Sequence, residues 1–434
     1  MSTQVEILFG RQKLAVTLPP EAKPTIIRKI ALPKLKDQAA AVRQALDHPT
    51  SARPLRELAR GRKSACILIC DITRPVPNHL FLRPMIEDLL AAGMTAQEIR
   101  VVVATGLHRP NEGAELEELV GDPWVLKTVR VENHFANNDA DHVDMGRTSR
   151  NTPVKLDRRF VEAELRIVTG LVEPHFMAGW SGGRKVIAPG VAHHETIRTF
   201  HSARFMEDPK AIQCNLAGNP LHEEQLEIVR MLGGEIYAVN TVVDEERDLS
   251  YVNFGEVRAS HLDAVSFVAS ATAVPIARRF HTVLTSSAGY PLDKTYYQTV
   301  KGMVTPIDIL EPGGTLIVAS ECSEGMGSRE FCQSQAKLIE MGAERFLEML
   351  KAKTFAEIDE WETEMQLKPM RVGRIKLYST GLKGEQRGLT GVEMIDSVEE
   401  ALRQGIAESG DPAVAIIPEG PYVIPVFASQ ASAD

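Results

Sequence analysis

Short runs of consecutive apolar residues recur along the chain, each closed by a polar or glycine-bearing stretch. Ala65–Cys70 (ACILIC), Val101–Ala104 (VVVA) and Leu165–Val168 (LRIV) are three of them. Runs this short, without alternation, predict strands buried on both faces of a parallel sheet. Between the first two, Phe81–Met94 repeats Leu, Met and Ile at helical spacing and reaches Gly93, a helix stop. Residues 65–108 therefore read as one βαβ unit. Glu235–Asp244 predicts a further strand, and a helical stretch is expected around His261–Ala277. The pattern then restarts with His281–Ser286, Thr315–Ala319, Ile375–Tyr378 and Ala413–Ile417. Upstream, VEILF and KLAVTL read as strands, Pro19–Pro33 as a proline-spaced linker and Lys36–Leu46 as a helix. The closing FASQASAD is expected to be a disordered tail. The fold class expected is α/β, with two α/β domains over residues 1–275 and 276–434 and parallel-type sheets. Pockets form preferentially between domains, so an active-site cleft is expected there.

Polar clusters follow three of the apolar runs. They are Asp71-Ile-Thr-Arg-Pro75, Thr105-Gly-Leu-His-Arg109 and LVEPHFMAGWSGGRK over 171–185. Ligands in open α/β sheets sit beyond the carboxyl ends of strands, where these clusters fall. In the third, His175, Gly179, Gly182, Gly183 and Lys185 lie within fifteen residues. Glycines admit close backbone approach to a ligand, lysine can carry a covalent attachment, and histidine shuttles protons near neutral pH.

Composition narrows the classes. The chain has 434 residues, 44% apolar and 25% charged, enough for two or three domains with ample cores. No run of eighteen apolar residues predicts a membrane span, and the N-terminus has no basic segment followed by an apolar one. Five scattered cysteines (66, 70, 214, 322 and 332) read as reduced thiols in a cytoplasmic protein. A net charge of −9 without a basic stripe argues against nucleic acid, and a small carboxylate stays open as ligand.

Several chemistries are excluded by spacing. GWSGGRK lacks the phosphate-loop interval, no G-x-G-x-x-G follows a strand, and no G-x-S-x-G elbow is present. There is no His-Glu-x-x-His. The doublet His193-His194 is taken as structural, because chain neighbours do not share a helical face.

In order along the chain, DITRP (71–75), TGLHR (105–109), EPHFMAGWSGGRKVIAPG (173–190), His201, NPLHEE (219–224) and GYPLDKTYYQTVKGM (289–303) resemble the nickel-pincer lactate racemase family. The resemblance implies a cofactor, pyridinium-3,5-bisthiocarboxylic acid mononucleotide, joined covalently to a lysine and binding nickel. Lys185 corresponds to the attachment lysine and His201 to the nickel ligand. His108 and His175 correspond to the two acid/base histidines. Asp71, Thr73 and Arg74 are expected at the cofactor, with Arg74 also reaching substrate. Tyr297, Gln298, Lys301 and Trp361 are expected to bind the substrate from the second domain. Cofactor-biosynthesis proteins are implied as partners.

The chemistry suits these residue types. The C2 proton of a 2-hydroxy acid is weakly acidic beside its carboxylate, so removing hydride avoids a dianionic carbanion. A base must take the hydroxyl proton as hydride leaves, which two histidines can do from two faces. Singly, each residue has a plainer explanation: Asp71 a helix N-cap, His108 a turn histidine, Lys185 a solvated charge. The expected function is a nickel-dependent racemase or epimerase inverting C2 of a lactate-like acid, malate or a sugar acid. The alternatives are a nickel-free lyase using the histidine pair and a non-enzymatic carboxylate binder using Arg74 and Lys301.

Overall fold

The computed structural model describes residues 3–244 and 246–428 and divides into two units, each built on a six-stranded sheet. One unit spans Ala31–Phe200 and Asp208–Ser270. From edge to edge its sheet runs Leu249–Glu256, Ile236–Val243, Leu165–Leu171, Ala65–Cys70, Ile99–Ala104 and Arg130–Asn133. All neighbours are parallel except the first pair, a hairpin. The chain builds outward from Ala65–Cys70 in one direction, then outward from Leu165–Leu171 in the other. The switch point therefore lies between those two strands. Ile67 pairs with both Ile167 and Val101, which aligns the strand ends Cys70, Leu171 and Ala104 along one edge.

The apolar runs are buried for the expected reason. The helix Asn78–Ala91 packs Phe81, Leu82, Met85, Ile86 and Leu89 against Ile67, Ile69, Val101 and Val103. Each such side chain contributes roughly 1.5–3 kcal/mol by leaving water.

The other unit comprises Met1–Ile30, His201–Glu207 and Ala271–Asp434. Its sheet is wholly parallel, in the order Glu393–Ile395, Arg374–Tyr378, Leu310–Ala319, Phe280–Ser286, Ala413–Ile417 and Lys23–Ile26. The last strand corrects two expectations. Residues 23–26 form an edge strand where a linker was expected, and residues 1–30 belong with the C-terminal half instead of a domain over 1–275. Pro24 hid this strand from a reading of the sequence, yet an edge position tolerates its missing N–H. Lys23 N–H donates to Pro412 O at 2.7 Å and Ile27 N–H to Ile416 O at 2.8 Å. The hairpin Gln4–Phe9 and Gln12–Thr17 buries Ile7 and Val16 against Leu284, Ile317 and Leu402.

The helix expected through residue 277 stops at Thr272. Ala273–Ile276 pairs instead with Ile424–Phe427, since Pro275 cannot continue a helix. The end of the expected tail, residues 429–434, lies outside the described residues. Among the described residues no helix is long and apolar enough to cross a membrane.

Candidate active site

Asp71 follows directly on the strand Ala65–Cys70 and is only 5% exposed. Its Oδ1 accepts the Thr73 hydroxyl at 2.5 Å and the Thr73 N–H at 3.2 Å. Its Oδ2 faces His108 Nδ1 at 2.5 Å. Arg74 Nη1 donates to Thr73 Oγ1 at 3.2 Å and to Thr73 O at 3.3 Å. His108 rides on the turn after Ile99–Ala104, with its N–H on Thr105 O at 2.9 Å. The turn is pinned in place by the Thr105 hydroxyl, which donates to His134 O at 2.7 Å.

Burial by itself would raise the Asp71 carboxyl. The bond and charge of His108, then Arg74 and the Thr73 hydroxyl, outweigh burial and hold the group below its usual range. An ionised carboxylate only accepts hydrogen bonds. Whenever the His108 ring is neutral, it therefore carries its proton on Nδ1 and its lone pair on Nε2, the form that accepts a proton.

His175 starts from the opposite tautomer. It lies in the two-residue strand Pro174–His175, paired with Gly179–Trp180. Its Nδ1 accepts the N–H of Ala178 at 3.2 Å and of Met177 at 3.4 Å. A neutral ring so held carries its proton on Nε2. One histidine thus offers an acceptor at Nε2 and the other a donor.

Gly182 and Gly183 adopt φ of +77° and +51°, a region costly for other residues. A Cβ on Gly182 would also lie 2.7 Å from Val172 Cγ2. The bend starts the short helix Arg184–Ile187 beyond the end of Leu165–Leu171. Here the adjacent cations divide. Arg184 turns inward, donating to Ala178 O at 3.1 Å and meeting His261 Nε2 at 2.9 Å, and burial lowers it to about 9. Lys185 stays half-buried. The Cys70 thiol, which burial pushes up to about 12, feels the charges of Asp71, Arg74 and Lys185 together. Arg109, by contrast, is held by Glu115 at 2.9 and 2.6 Å.

The expected substrate residues gather in the other unit. Thr295 caps the helix Tyr296–Val304, accepting the Gln298 N–H. Tyr297 and Lys301, four apart, share a helical face. Trp361 Nε1–H donates to the Tyr297 hydroxyl at 3.2 Å. The Trp361 ring lies 5.1 Å from the ring of His201. His201 was expected with the N-terminal domain. It belongs instead to the unit holding Trp361, because the helix Ala203–Met206 that it precedes is tied there by Glu207 and Arg371 at 2.6 and 3.1 Å.

One buried acid of this cluster was missed. Glu362 is buried, and burial pushes its carboxyl up to about 8 while Lys301 draws it down and Asp359 raises it. Burial, followed by Glu362 and Asp359, also raises the Tyr297 hydroxyl. The side-chain oxygens Gln298 Oε1 and Glu362 Oε1 are buried with no hydrogen-bond partner among the described residues. A signal was present: acids at 359, 360, 362 and 364 cannot all share one solvated helix face.

A doubly wound sheet with a His–Asp pair and a glycine-framed lysine at its switch point has the layout of an α/β enzyme for small molecules. Residues 9–213 match the lactate racemase N-terminal domain family and residues 277–425 the lactate racemase C-terminal domain family. The lactate racemase of Lactiplantibacillus plantarum is 30% identical over 396 residues, 90% of this chain and 91% of that protein. That of Thermoanaerobacterium thermosaccharolyticum is 30% identical over 427 residues, 97% of this chain and 98% of that protein. The solved apoprotein of the latter aligns with a TM-score of 0.88 at 27% identity, covering 98% of this chain and all of that one. A Thermotoga maritima protein shares the fold at a TM-score of 0.63 and 18% identity, covering 86% of this chain and 98% of its own. The chain belongs to the lactate racemase family.

Proposed function

We propose that this protein inverts C2 of a small 2-hydroxy acid, lactate-like, malate or a sugar acid. Family membership makes it an isomerase. The Asp71–His108 pair carries the reading, since a buried carboxylate there aims a proton-accepting nitrogen away from itself.

The family's implied group, nickel held by a pyridinium-3,5-bisthiocarboxylic acid mononucleotide, fits the residues present. Lys185 offers a half-buried amine beside a glycine bend, and His201 an imidazole, a donor suited to nickel. Gln298 Oε1 is a buried acceptor in need of a donor. Lys185 would hold the group covalently, with Asp71, Thr73 and Arg74 around it, and His201 would ligate the nickel. When bound, the group supplies what no side chain can, an acceptor for the C2 hydrogen together with its electron pair.

The chain's own residues do the rest. His108 Nε2 takes the hydroxyl proton of one enantiomer. His175 is the matching group for the other enantiomer. Its Nε2–H donates a hydrogen bond to the hydroxyl oxygen, and to act there as acid or base the ring must first give up the Ala178 and Met177 N–H bonds at Nδ1 and take a proton on that nitrogen. Such help is worth about 10² to 10⁴ in rate. Arg74 binds the carboxylate by a planar two-point contact, and Lys301 adds a point charge. Tyr297, Gln298 and Trp361 orient the remainder. The free cysteines support a reducing cytoplasm, where cofactor-making proteins would act.

The test is the intact denatured mass of protein produced alongside a cofactor-making pathway, with peptide mapping. A mononucleotide-sized adduct on the Lys185 peptide, absent in Lys185→Ala, is expected. An unmodified Lys185, from a host that modifies a lactate racemase, would overturn the pincer reading and favour nickel-free acid/base chemistry.

A further inference from the structure

Four histidines that take no part in this chemistry form a chain of ring contacts. His134 and His142 lie 5.1 Å apart by centroid, His142 and His193 4.9 Å, and His193 and His194 4.1 Å. At one end the turn Asp139–Asp141 brings Asp139 Oδ1 to 2.7 Å from His193 Nε2. The ligand atoms of Asp139, His193 and His194 all lie within 4.8 Å of one another. The doublet fails as a motif within one helix, and the third donor comes from fifty-four residues away.

We propose that Asp139, His193 and His194 bind one divalent transition cation of the zinc and nickel class. Two imidazoles and one carboxylate are the donors these borderline ions select, whereas calcium and magnesium prefer oxygen alone. Bonds of about 2.1 Å put ligand atoms about 3 to 4 Å apart, so small side-chain rotations close the set. His193 Nδ1 already accepts the Glu195 N–H at 3.3 Å and lies 4.0 Å from Glu195 Oε2. On binding, the proton at His193 Nε2 moves to Nδ1, the Glu195 N–H gives up its bond to that nitrogen, and the Glu195 carboxylate becomes the outer partner of the ring. Of the nearby cations, Lys155 is engaged by that same carboxylate at 2.6 Å, and Arg198 lies along the helix His194–Phe200.

A second observation points to a ligand. His142 is 6% exposed, its Nδ1 meets Asn138 O at 2.7 Å, and its Nε2 is buried with no hydrogen-bond partner among the described residues. Three protein ligands leave an open position for water on the ion. That water would donate to the stranded His142 lone pair. A second cluster among the described residues, Asp244, Glu246 and Asp248, carries no such case, because the Lys34 ammonium occupies it.

A cation here would staple the turn Asp139–Asp141 to the start of the helix His194–Phe200, which leads directly into His201. The test titrates Zn(II) into the full chain, made without the cofactor pathway, by calorimetry and thermal melting. Wild type should bind one ion per chain and melt higher. Asp139→Asn and His194→Gln should bind about 10-fold more weakly or worse, lose the thermal shift and keep the wild-type circular dichroism. His201→Ala should bind as wild type does. Wild-type protein that takes up no Zn(II), or uptake that survives both substitutions or vanishes in His201→Ala, overturns the proposal.

Discussion

Asp71→Asn tests the tautomer argument at the level of single atoms. Asp71 Oδ1 receives two Thr73 donors, the hydroxyl at 2.5 Å and the N–H at 3.2 Å. The amide oxygen of asparagine must stay on that side, since its NH₂ would meet the Thr73 N–H head-on. The NH₂ therefore replaces Oδ2 and donates to His108 Nδ1. The ring proton moves to Nε2, and the acceptor facing the substrate is lost. General-base help worth about 10² to 10⁴ should disappear from kcat, about 3–5 kcal/mol of barrier. Folding should suffer less, by about 1–2 kcal/mol, because a charge-assisted hydrogen bond becomes a neutral one. The assay is racemisation of both enantiomers, normalised to adduct-bearing protein by intact mass. Asp71→Ala supplies the control: it frees the ring to choose its tautomer, so it should keep more activity than the asparagine variant. A merely structural Asp71 predicts the reverse order. An asparagine variant with wild-type kcat per loaded chain would refute the reasoning. The stability difference carries its own pH signature. Because the folded carboxyl is lowered, its contribution is complete above the unfolded value of about 3.9 and is lost as pH falls through the folded value. Urea midpoints of wild type and variant should therefore converge in acid.

Further outcomes are expected. Burial raises the Glu364 carboxyl to about 8, so its folded form favours the proton and stability drains away as pH rises from about 4.3 toward 8. Glu364→Gln should flatten that loss, gaining on the order of 2 kcal/mol at pH 8 over its effect at pH 5, read from urea midpoints; parallel pH profiles would contradict it. Gly182→Ala forces a Cβ against Val172 at a φ of +77° and should cost about 1–3 kcal/mol, together with Lys185 adduct yield. Retention of the wild-type melting temperature would show that the bend is tolerant. Trp361→Phe removes the donor to the Tyr297 hydroxyl, a bond worth about 1 kcal/mol. KM should rise several-fold with kcat little changed, and an unaltered KM would separate Trp361 from the substrate.

Much of this protein is legible in its residue order, and the reason is local. Buried parallel strands advertise themselves as unbroken apolar runs, so ACILIC, VVVA and LRIV, like the run at 315–319, coincide with observed strands. The polar clusters that follow three of them lie at one sheet edge, because parallel strands all end on the same side. What depended on partners far along the chain was not legible. Strand Lys23–Ile26 exists through its pairing with Ala413–Ile417, which no local propensity of KPTI encodes. Arg184 and Lys185 are adjacent and chemically alike, and only packing against Ala178 and His261 sends one inward and leaves the other half-buried. Glu362 reads as surface charge until its helix is seen to bury it beside Lys301. His193 and His194 are unremarkable neighbours until the turn at Asp139 folds over them. Composition and periodicity report what one segment does with water. Tautomers, shifted acidities and ligand sets depend on which segments meet, and tertiary structure alone decides that.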